Sequence, residues 1–428
     1  MLAGPLVACL GVACGAKAPT VAEVLVAADS APSRPSASLV APPPRPSPRD
    51  RLTGIVKIAC GDGMTCGLSG DGTVVCWGDA YELGRAGDAT GPQVIRGATG
   101  AVQIGVGQSS ACARTNDHKV FCWGRAPFDR ASNGPAPSSP AEAEARAAAH
   151  VVTLPPVKEL AVGSSHACAL SDAGAVLCWG DRSDAKLGLS FTRTRPPWDA
   201  HPAPVTVPAP PSRTVAAGLN DSCAIGEDGV LRCWGSNASG ELGLPPGTKL
   251  STRPVVVAVD APVAQISIGD QLCAVDAKRR AVCFGTNDFG QAGDPSKVGP
   301  AKALSSRPSG MRGSLVSPPR AVPGLVGVTE IAAGGTFSCA IRDDRTVACF
   351  GNNELGGLAR APDELPHAIP VPIDGITGAQ TLCVGSYHAC VVVAGGVVMC
   401  WGYNAAGQLG RGMSSPLETT PEPVKPID

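Results

Sequence analysis

The sequence contains few aromatic and few charged residues, and neither sign of charge predominates. Aromatic residues make up 4% of the 428 residues and charged residues 17%, with 35 lysines and arginines against 36 aspartates and glutamates. Because the net charge is close to zero, no overall positive field is available to hold nucleic acid or an anionic membrane. We therefore expect no nucleic-acid partner.

The chain also lacks the motifs of common catalytic sites. It has no Gly-Lys-Ser/Thr phosphate-binding loop, no Gly-x-Ser-x-Gly and no His-Glu-x-x-His, the motifs that place a phosphate cradle, a serine nucleophile or a zinc ion. Of the six histidines, His150, His201 and His367 lie in irregular segments with no nucleophile or carboxylate at a telling spacing. We therefore predict no enzyme activity, no catalytic residues, no cofactor and no metal site.

Glycine and proline, in contrast, are abundant. The 53 glycines and 41 prolines make up about 22% of the chain, a level close to that of low-complexity or collagenous sequences. The glycines, however, recur with a long period rather than at every third residue. This spacing indicates a repeat architecture, which overrides the two or three domains that length alone would suggest.

The cysteines define the repeat. Fourteen of the eighteen form seven pairs with nine residues between the partners. The pairs are Cys66 with Cys76, Cys112 with Cys122, Cys168 with Cys178, Cys223 with Cys233, Cys273 with Cys283, Cys339 with Cys349, and Cys390 with Cys400. Outside this pattern lie Cys9, Cys14, Cys60 and Cys383. One separation that occurs seven times indicates seven repeated units.

Residues 1–14 are apolar and end in Ala-Cys, which resembles the end of a bacterial lipoprotein signal peptide. The segment is too short to span a bilayer, which takes about 20 residues, and it has no basic n-region. We expect a lipid on Cys14, where the apolar run stops, or on Cys9, which fits the lipobox pattern better. The alternative is an apolar N-terminus without a targeting role.

Residues 15–50 combine eight prolines with alanine, serine and valine. Such a composition cannot bury a core, and it is typical of a disordered tether with polyproline II character. A tether directly after a candidate lipidation site is what a protein held off a membrane surface requires. The sequence thus predicts three parts: a signal remnant at 1–14, the tether at 15–50 and the repeats at 51–428.

Each repeat predicts a disulfide-closed β-hairpin. A glycine precedes the first cysteine by five residues, except at Gly269, which comes one residue late, and the second cysteine is followed by an aromatic residue and glycine. If Cys66 faces Cys76, their Cα atoms lie about 4.5–5.5 Å apart, within the range of a disulfide. The competing explanation, zinc, favours close pairs such as Cys-x-x-Cys, and the sequence contains none.

Several repeats continue with Asn-x-x-Gly-x-Leu-Gly, as at 237–243 and 404–410. Together with Gly-x-x-His-x-Cys-Ala-Leu at 163–170 and the Cys-Trp-Gly elements, this pattern resembles the regulator of chromosome condensation repeat family. Its cysteines are similar to those of bacterial envelope versions and of the Crinkly repeats of plant receptor kinases. The resemblance covers 51–428 and implies an all-β fold, a seven-bladed β-propeller of four-stranded antiparallel blades with one disulfide hairpin each.

The two ends of the repeat region look complementary. The C-terminal segment 421–424 is a lead-in that another strand normally follows, and a strand of that type occurs instead at 54–61. We therefore predict that one blade is completed from both ends of the chain. Cys60 and Cys383 lie in repeats that become neighbours only when the ring closes, and we predict a disulfide between them. The alternative is two buried free thiols.

The histidines and tryptophans of the repeats have structural roles by resemblance. In the family, a histidine at the position of His166 and His388 is structural and bonds within its blade. We expect the five tryptophans that follow the second cysteines to pack between blades. Neither set predicts a ligand site.

Three insertions between repeats are the candidates for binding. They span residues 125–152, 189–212 and 294–322. The second contains Trp198 with Arg193 and Arg195, and the third contains Arg307 and Arg312. Tryptophan and arginine are favoured anchors of interfaces. The alternative for each insertion is a solvated loop without a partner.

These features predict an exported protein of the bacterial cell envelope, or a secreted one. We expect a monomeric, non-enzymatic scaffold that binds a protein or glycan partner and meets a membrane only through an N-terminal lipid. An enzyme inhibitor is one variant. The alternative is a guanine-nucleotide exchange factor for a small GTPase, as in the family's namesake. Exchange factors work in reducing compartments, however, where seven disulfides are out of place.

Overall fold

The fold is that of a computed structural model, which describes residues 51–79, 90–124, 150–190, 200–245, 247–298 and 314–427. Within these ranges the regular structure consists of β-strands and two short 3₁₀ turns, at Ser183–Ala185 and Pro295–Lys297. In this part of the chain no helix has the length and apolar character needed to cross a bilayer. The predicted signal remnant and tether, with Cys9 and Cys14, lie outside the described residues.

The strands form seven antiparallel sheets of four consecutive strands each, which we call blades 1 to 7. Blade 1 contains β1 (Ile55–Cys60), β2 (Met64–Ser69), β3 (Val74–Gly78) and β4 (Gln93–Val94). Blade 2 contains β5 (Ala101–Val106), β6 (Ser110–Thr115), β7 (Val120–Gly124) and β8 (His150–Val152). Blade 3 contains β9 (Val157–Val162), β10 (His166–Ser171), β11 (Val176–Asp181) and β12 (Ala200–Thr206). Blade 4 contains β13 (Ser212–Ala217), β14 (Asp221–Gly226), β15 (Leu231–Ser236) and β16 (Leu250–Val256). Blade 5 contains β17 (Val263–Ile268), β18 (Gln271–Asp276), β19 (Arg280–Thr286) and β20 (Leu315–Val326). Blade 6 contains β21 (Val328–Ala333), β22 (Phe337–Arg342), β23 (Val347–Gly351) and β24 (His367–Pro372). Blade 7 contains β25 (Thr381–Val384), β26 (His388–Val393), β27 (Val397–Asn404) and β28 (Ser415–Pro423).

The first strands of the blades lie side by side around a central channel. Each contacts the first strand of the next blade, and β25 of blade 7 contacts β1 of blade 1, so the ring is closed. A single four-stranded sheet has two faces to bury, and radial packing lets neighbouring blades cover them. The predicted seven-bladed propeller is confirmed.

The prediction that one blade is completed from both ends is wrong. The lead-in at 421–424 belongs mostly to β28, which pairs with β27 as the outer strand of blade 7, while β1 is the inner strand of blade 1. The lead-in of every repeat is thus the fourth strand of its own blade. The ends meet through single backbone hydrogen bonds, such as Leu52 N–H to Val424 O at 2.9 Å and Ile55 N–H to Gly396 O at 3.1 Å.

A cysteine pair at disulfide distance lies in every blade, as predicted, with one cysteine on the second strand facing the other on the third. In chain order the pairs are Cys66 with Cys76, Cys112 with Cys122, Cys168 with Cys178, Cys223 with Cys233, Cys273 with Cys283, Cys339 with Cys349, and Cys390 with Cys400. Their Sγ atoms are 2.06–2.13 Å apart and their Cα atoms 4.0–4.2 Å apart. Each of these bonds lies within one hairpin, so it stiffens a blade but does not join neighbouring blades.

Loops after the third strands connect neighbouring blades through hydrogen bonds. In blade 7 the amide of Asn404 holds the loop, accepting from Leu409 N–H at 3.0 Å and donating to Met413 O at 3.2 Å. The loop thereby presents the carbonyl of Gln408 to blade 1, where it accepts from Trp77 Nε1 at 2.9 Å. The Asn-x-x-Gly-x-Leu-Gly motif is therefore a joint between blades, and the fully buried tryptophans serve packing, as expected.

Candidate functional site

Two sets of loops meet on one side of the disc, which we call the channel face. The first set joins the first and second strands of each blade, and the second set leaves the third strands. Each third strand ends opposite the start of the second strand, as Gly78 lies opposite Met64 and Gly180 opposite His166. Both sets of loops therefore emerge on the same side, around the mouth of the channel.

One glycine from each blade lines the channel mouth. The ring consists of Gly61, Gly107, Gly163, Gly218, Gly269, Gly334 and Gly385. None of them has a positive φ, so it is space rather than backbone conformation that requires glycine. A Cβ on Gly107 would lie 1.9 Å from the carbonyl oxygen of Gly163, and six of the seven abut the next glycine in this way, at 1.9–2.4 Å. Backbone contact between blades thus sets the width of the channel.

Gly218 is the exception, since a Cβ there would meet Cγ2 of Ile268 at 2.4 Å rather than a glycine carbonyl. The fifth repeat is one residue shorter between its ring glycine, Gly269, and its first cysteine. Ile268 and Asp270 flank Gly269 at the channel mouth, as the neighbours of the other ring glycines do.

The channel mouth carries acidic and hydroxyl side chains. The hydroxyl of Ser386 donates to the carboxylate of Asp62. Burial raises the pKa of Asp62, and hydrogen bonds from Ser386 and Gln108 partly offset this effect. Desolvation by the surrounding protein, with the negative charges of Asp62 and Glu241, raises the pKa of Asp270 to about 7. The mouth therefore becomes more negative as the pH rises through neutrality.

The cavity at the mouth is small. Its volume is ≈ 90 Å³, well below the roughly 300–1,000 Å³ of typical sites for small molecules and cofactors. It has room for a few water molecules, each of which needs about 10–15 Å³. A nucleotide or sugar does not fit into it, so the loops around the mouth are the better candidates for binding a partner.

His166 and His388 connect neighbouring blades. The Nε2 atom of His166 lies 2.7 Å from Ser222 Oγ, and that of His388 lies 2.8 Å from Thr65 Oγ1. Each hydroxyl donates its own proton to a loop carbonyl of the preceding blade, so Nε2–H is the donor to the hydroxyl oxygen. Burial lowers the pKa of both histidines to about 3. The expected bond within the blade is wrong, because both bonds cross to the next blade.

In blade 4, Asp221 occupies the position that His166 and His388 hold in blades 3 and 7. The residue of blade 5 that would bond to it is apolar. Blade 5 pairs Gln271 Nε2 with Ser338 Oγ at 2.8 Å, whereas the equivalent residue opposite Asp221 is Leu272. Asp221 is 1% exposed, and within the described ranges its Oδ2 has no hydrogen-bond partner. Burial raises the pKa of Asp221 well above its ordinary value, which favours the neutral form of this carboxyl group.

Lys186 is a buried cation that the sequence motifs did not reveal. It is 2% exposed, and its Nζ atom donates to Asp181 Oδ2 at 3.0 Å, to Ser165 Oγ at 3.0 Å and to Asn220 Oδ1 at 3.1 Å. All three ammonium protons therefore have acceptors. In the sequence, the signal for this buried cation is a lysine at the loop position that Gln408 occupies in blade 7.

Side chains on the first strands join neighbouring blades inside the channel wall. Gln103 donates to Leu160 O at 3.0 Å and accepts from Leu160 N–H at 3.1 Å, and Gln265 binds both backbone groups of Ile331 in the same way. Glu159 holds this position in blade 3, but among the described residues its side chain accepts only from Val215 N–H, at 3.4 Å. An ionised carboxylate cannot donate to the neighbouring carbonyl.

We predict that Glu159→Gln stabilises the protein at pH 8 by about 1 kcal/mol, the net value of one additional hydrogen bond. Burial raises the pKa of Glu159 to about 7, although Lys158, Arg114 and Arg213 favour the charged form. Because the folded-state pKa lies above the unfolded one, ionisation destabilises the fold as the pH rises from about 4.5 to 7. Urea denaturation should show the gain at pH 8 and its loss by pH 4.

The reverse substitution, Gln265→Glu, is the matched control. The substitution should lower the free energy of unfolding at pH 8. The lost stability should return as the pH falls, because the protonated carboxyl group can again donate. A gain for Glu159→Gln that is equal at pH 4 and pH 8 would contradict this account.

The predicted binding residues lie outside the described part of the chain. These are Trp198, Arg193, Arg195, Arg307 and Arg312. In each insertion the undescribed segment is followed by the outer strand of a blade, which is β8, β12 or β20. The base of the third insertion is held by Asn287, whose amide donates to Asp294 O and Lys297 O at 2.8 Å each. This insertion therefore starts from the channel face.

Cys60 and Cys383 join the two ends of the ring. Their Sγ atoms are 1.98 Å apart and their Cα atoms 5.4 Å apart, across 323 positions of sequence. Next to them lies a group that the described residues offer as metal ligands: a ring nitrogen of His388 and the Sγ atoms of Cys60 and Cys390, all within 4.8 Å of one another. Both sulfurs are held in disulfides in this structure.

Relatives of the chain are found by sequence. It is 29% identical to the human E3 ubiquitin-protein ligase HERC2 over 269 residues, which are 60% of this chain and 5% of HERC2. It is 25% identical to the protein pim1 of Schizosaccharomyces pombe over 341 residues, covering 74% and 62% of the two chains. The guanine nucleotide exchange factor SRM1 of Saccharomyces cerevisiae is 24% identical, covering 60% and 55%. The chain thus spans less than two thirds of each of these relatives.

Solved structures share the fold. Yeast RCC1 (Prp20), in its complex with Kap60, matches with a TM-score of 0.66 and 18% identity over 92% of this chain and 90% of that chain. Human WBSCR16 matches with a TM-score of 0.65 and 19% identity, over 85% and 94%. Residues 31–364 match the family model of the RCC1-like domain, and residues 380–408 match the regulator of chromosome condensation (RCC1) repeat. The chain therefore belongs to the RCC1-like domain family.

Proposed function

We propose that this protein is an exported, lipid-anchored and monomeric scaffold that binds a protein partner through the insertions that follow third strands of its blades. The observation that carries the proposal is the set of eight cysteine pairs at disulfide distance, one in each blade and one between the ends of the ring. Disulfides persist in oxidising compartments and are rare in cytosol and nucleus. Export supplies the compartment in which all eight can form.

The channel face supports binding rather than turnover. Its cavity is ≈ 90 Å³, and several of its polar side chains are occupied in joining blades, as His388 is by Thr65. Loops on a rigid scaffold are where proteins commonly place binding residues. Named relatives also engage proteins: yeast RCC1 was solved bound to Kap60, and a mouse relative is named a GTPase regulator. By this argument a protein is favoured over a glycan.

We predict that in protein from its native host the sixteen cysteines of the eight pairs resist alkylation until a reductant is added. Intact mass, measured after alkylation with and without reduction, checks this. The first residue should be Cys14 or Cys9 with a diacylglycerol-sized addition. Thiols that react without reduction, on a chain with an unmodified N-terminus, would overturn export and anchoring.

The binding part of the proposal is tested separately on the insertions. A triple substitution, Arg193→Ala, Arg195→Ala and Trp198→Ala, should weaken a partner captured from the envelope by more than about tenfold, as the loss of interface anchors does. The matched control is Arg96→Ala, at an exposed arginine outside the insertions. Equal affinity of the triple variant and the control, together with equal affinity of an Arg307→Ala, Arg312→Ala variant, would contradict binding through these insertions.

A second candidate function is nucleotide exchange on a small GTPase. It is favoured by the relative SRM1, which is named a guanine nucleotide exchange factor. A small GTPase loaded with fluorescent GDP measures it directly, with and without reduction of the propeller. We expect no acceleration of GDP release, and catalytic acceleration would replace the scaffold proposal.

A further inference from the structure

Four cysteines and a histidine meet where the ring closes. On blade 7, Cys383, Cys390 and Cys400 lie directly opposite one another on three adjacent strands. Cys60 of blade 1 approaches this row through its bond to Cys383. A ring nitrogen of His388 lies within 4.8 Å of the Sγ atoms of Cys60 and Cys390. The fold thus places three donor groups within reach of one metal ion, and Cys383 is bonded to one of them.

His388 is oriented as a metal-binding histidine would be. It is fully buried, and its Nε2–H is directed to Thr65 Oγ1 at 2.8 Å, because the Thr65 hydroxyl proton goes to Gln408 O at 3.0 Å. The remaining nitrogen, Nδ1, therefore carries a free lone pair, and it has no hydrogen-bond partner among the described residues. Metal-ligating histidines almost always donate their other ring N–H in this way, which fixes the tautomer.

We propose that, once a reductant opens the Cys60–Cys383 and Cys390–Cys400 disulfides, Cys60, Cys390 and Nδ1 of His388 bind one Zn²⁺, and that Cys383, released from its bond to Cys60, turns to the metal as the fourth ligand. Each disulfide takes up two electrons and two protons from a thiol reductant, which is oxidised to its own disulfide. Zn²⁺ then displaces the protons of three thiols, and Cys400 remains a thiol. A Cys₃His set is a standard tetrahedral zinc site.

Sequence spacing hid this site. The absence of a Cys-x-x-Cys pair argues against zinc, but the ligands come from both ends of the chain and meet only in the closed ring. Zinc would fasten blade 1 to blade 7 in the reduced protein, where the covalent link is lost. The proposal concerns the reduced chain, so it does not depend on export: an oxidising compartment keeps the four sulfurs in two disulfides.

The junction of blades 3 and 4 offers a matched control within the same chain. It has a histidine in the equivalent position, His166, and the equivalent hairpin pair, Cys168 and Cys178. The residues equivalent to Cys60 and Cys383, however, are Ala217 and Ala161. This junction therefore has too few sulfur ligands for the proposed site.

The test measures zinc on the whole chain reduced with a phosphine, which opens disulfides without offering thiolates of its own. Elemental analysis after removal of excess ZnCl₂ should find one zinc per reduced chain and none on the oxidised chain. Titration with Co²⁺ should give a thiolate-to-metal charge-transfer band. His388→Ala, and separately Cys60→Ser with Cys383→Ser, should lower zinc affinity more than tenfold, at least the effect of losing an outer-shell partner.

Two control variants separate a folded site from thiols of an unfolded chain. His166→Ala and the pair Cys112→Ser with Cys122→Ser remove the same numbers of histidines and cysteines elsewhere, and they should leave the affinity unchanged. If both sets of variants weaken zinc alike, or if the reduced chain binds none, the proposal is wrong. Because neither result bears on cysteine oxidation or partner binding in the native protein, failure here is distinguishable from failure of the scaffold proposal.

Discussion

Gly107→Ala is expected to lower the free energy of unfolding by about 3–5 kcal/mol, at the severe end for a single substitution. The added Cβ would lie 1.9 Å from Gly163 O, 2.8 Å from Gly163 C and 3.3 Å from Val162 Cγ1. The first two atoms are backbone of the next blade, so no side chain can rotate away to make room. Relief requires blades 2 and 3 to move apart, which a closed ring of seven does not allow without shifting the others. Urea denaturation at fixed protein concentration measures the loss.

Gly70→Ala is the matched control. Gly70 also lacks a positive φ, and a Cβ there would come no closer than 3.7 Å, to the side chain of Val56. The substitution should change stability by less than about 0.5 kcal/mol. If the two variants were equally stable, the glycines of the ring would not set the spacing between blades.

The repeated units of the fold were predictable from short stretches of sequence. The nine-residue spacing of Cys66 and Cys76, the aromatic residue after the second cysteine and the turn between them are local signals, and seven copies reinforce one another. Each copy predicts a hairpin whose register the cysteines then fix. The blade count and the cysteine pairing within blades followed from this.

Contacts between blades were not predictable in the same way. The bond from His166 to Ser222 joins residues 56 positions apart, and only the pitch of the ring decides that it crosses to the next blade. The sequence does not reveal how the closing blade is built, because a lead-in segment looks the same whether it ends its own blade or begins the next one. The cluster around His388 escaped notice because Cys60 and Cys383 are 323 positions apart and spacing rules for zinc consider near neighbours.

The buried cation at the channel face yields the second prediction: Lys186→Met should lower the free energy of unfolding by about 3–5 kcal/mol, the usual effect of removing one partner of a buried ion pair. The substitution leaves Asp181, which is 3% exposed, without its counter-charge. Burial raises the pKa of Asp181, but the charge of Lys186 and hydrogen bonds from Ser183 outweigh burial and leave the pKa below its ordinary value. The pair therefore stabilises the fold above about pH 4 and loses this effect as acid protonates the carboxylate.

The double variant Asp181→Asn, Lys186→Gln decides whether charge or shape is responsible. Glutamine is a reasonable replacement because Gln408 and Gln291 hold the same loop position in blades 7 and 5, where they are 1% exposed. With no charge left to desolvate, most of the lost stability should return, since neutral replacement of a buried pair is often harmless. The carbonyl of residue 186 would still accept from Trp234 Nε1, at 3.0 Å in the wild type, so the joint to blade 4 should persist. If the double variant is as unstable as Lys186→Met, the ion pair itself holds blades 3 and 4 together. If Lys186→Met alone is as stable as the wild type, the buried pair contributes nothing to the ring.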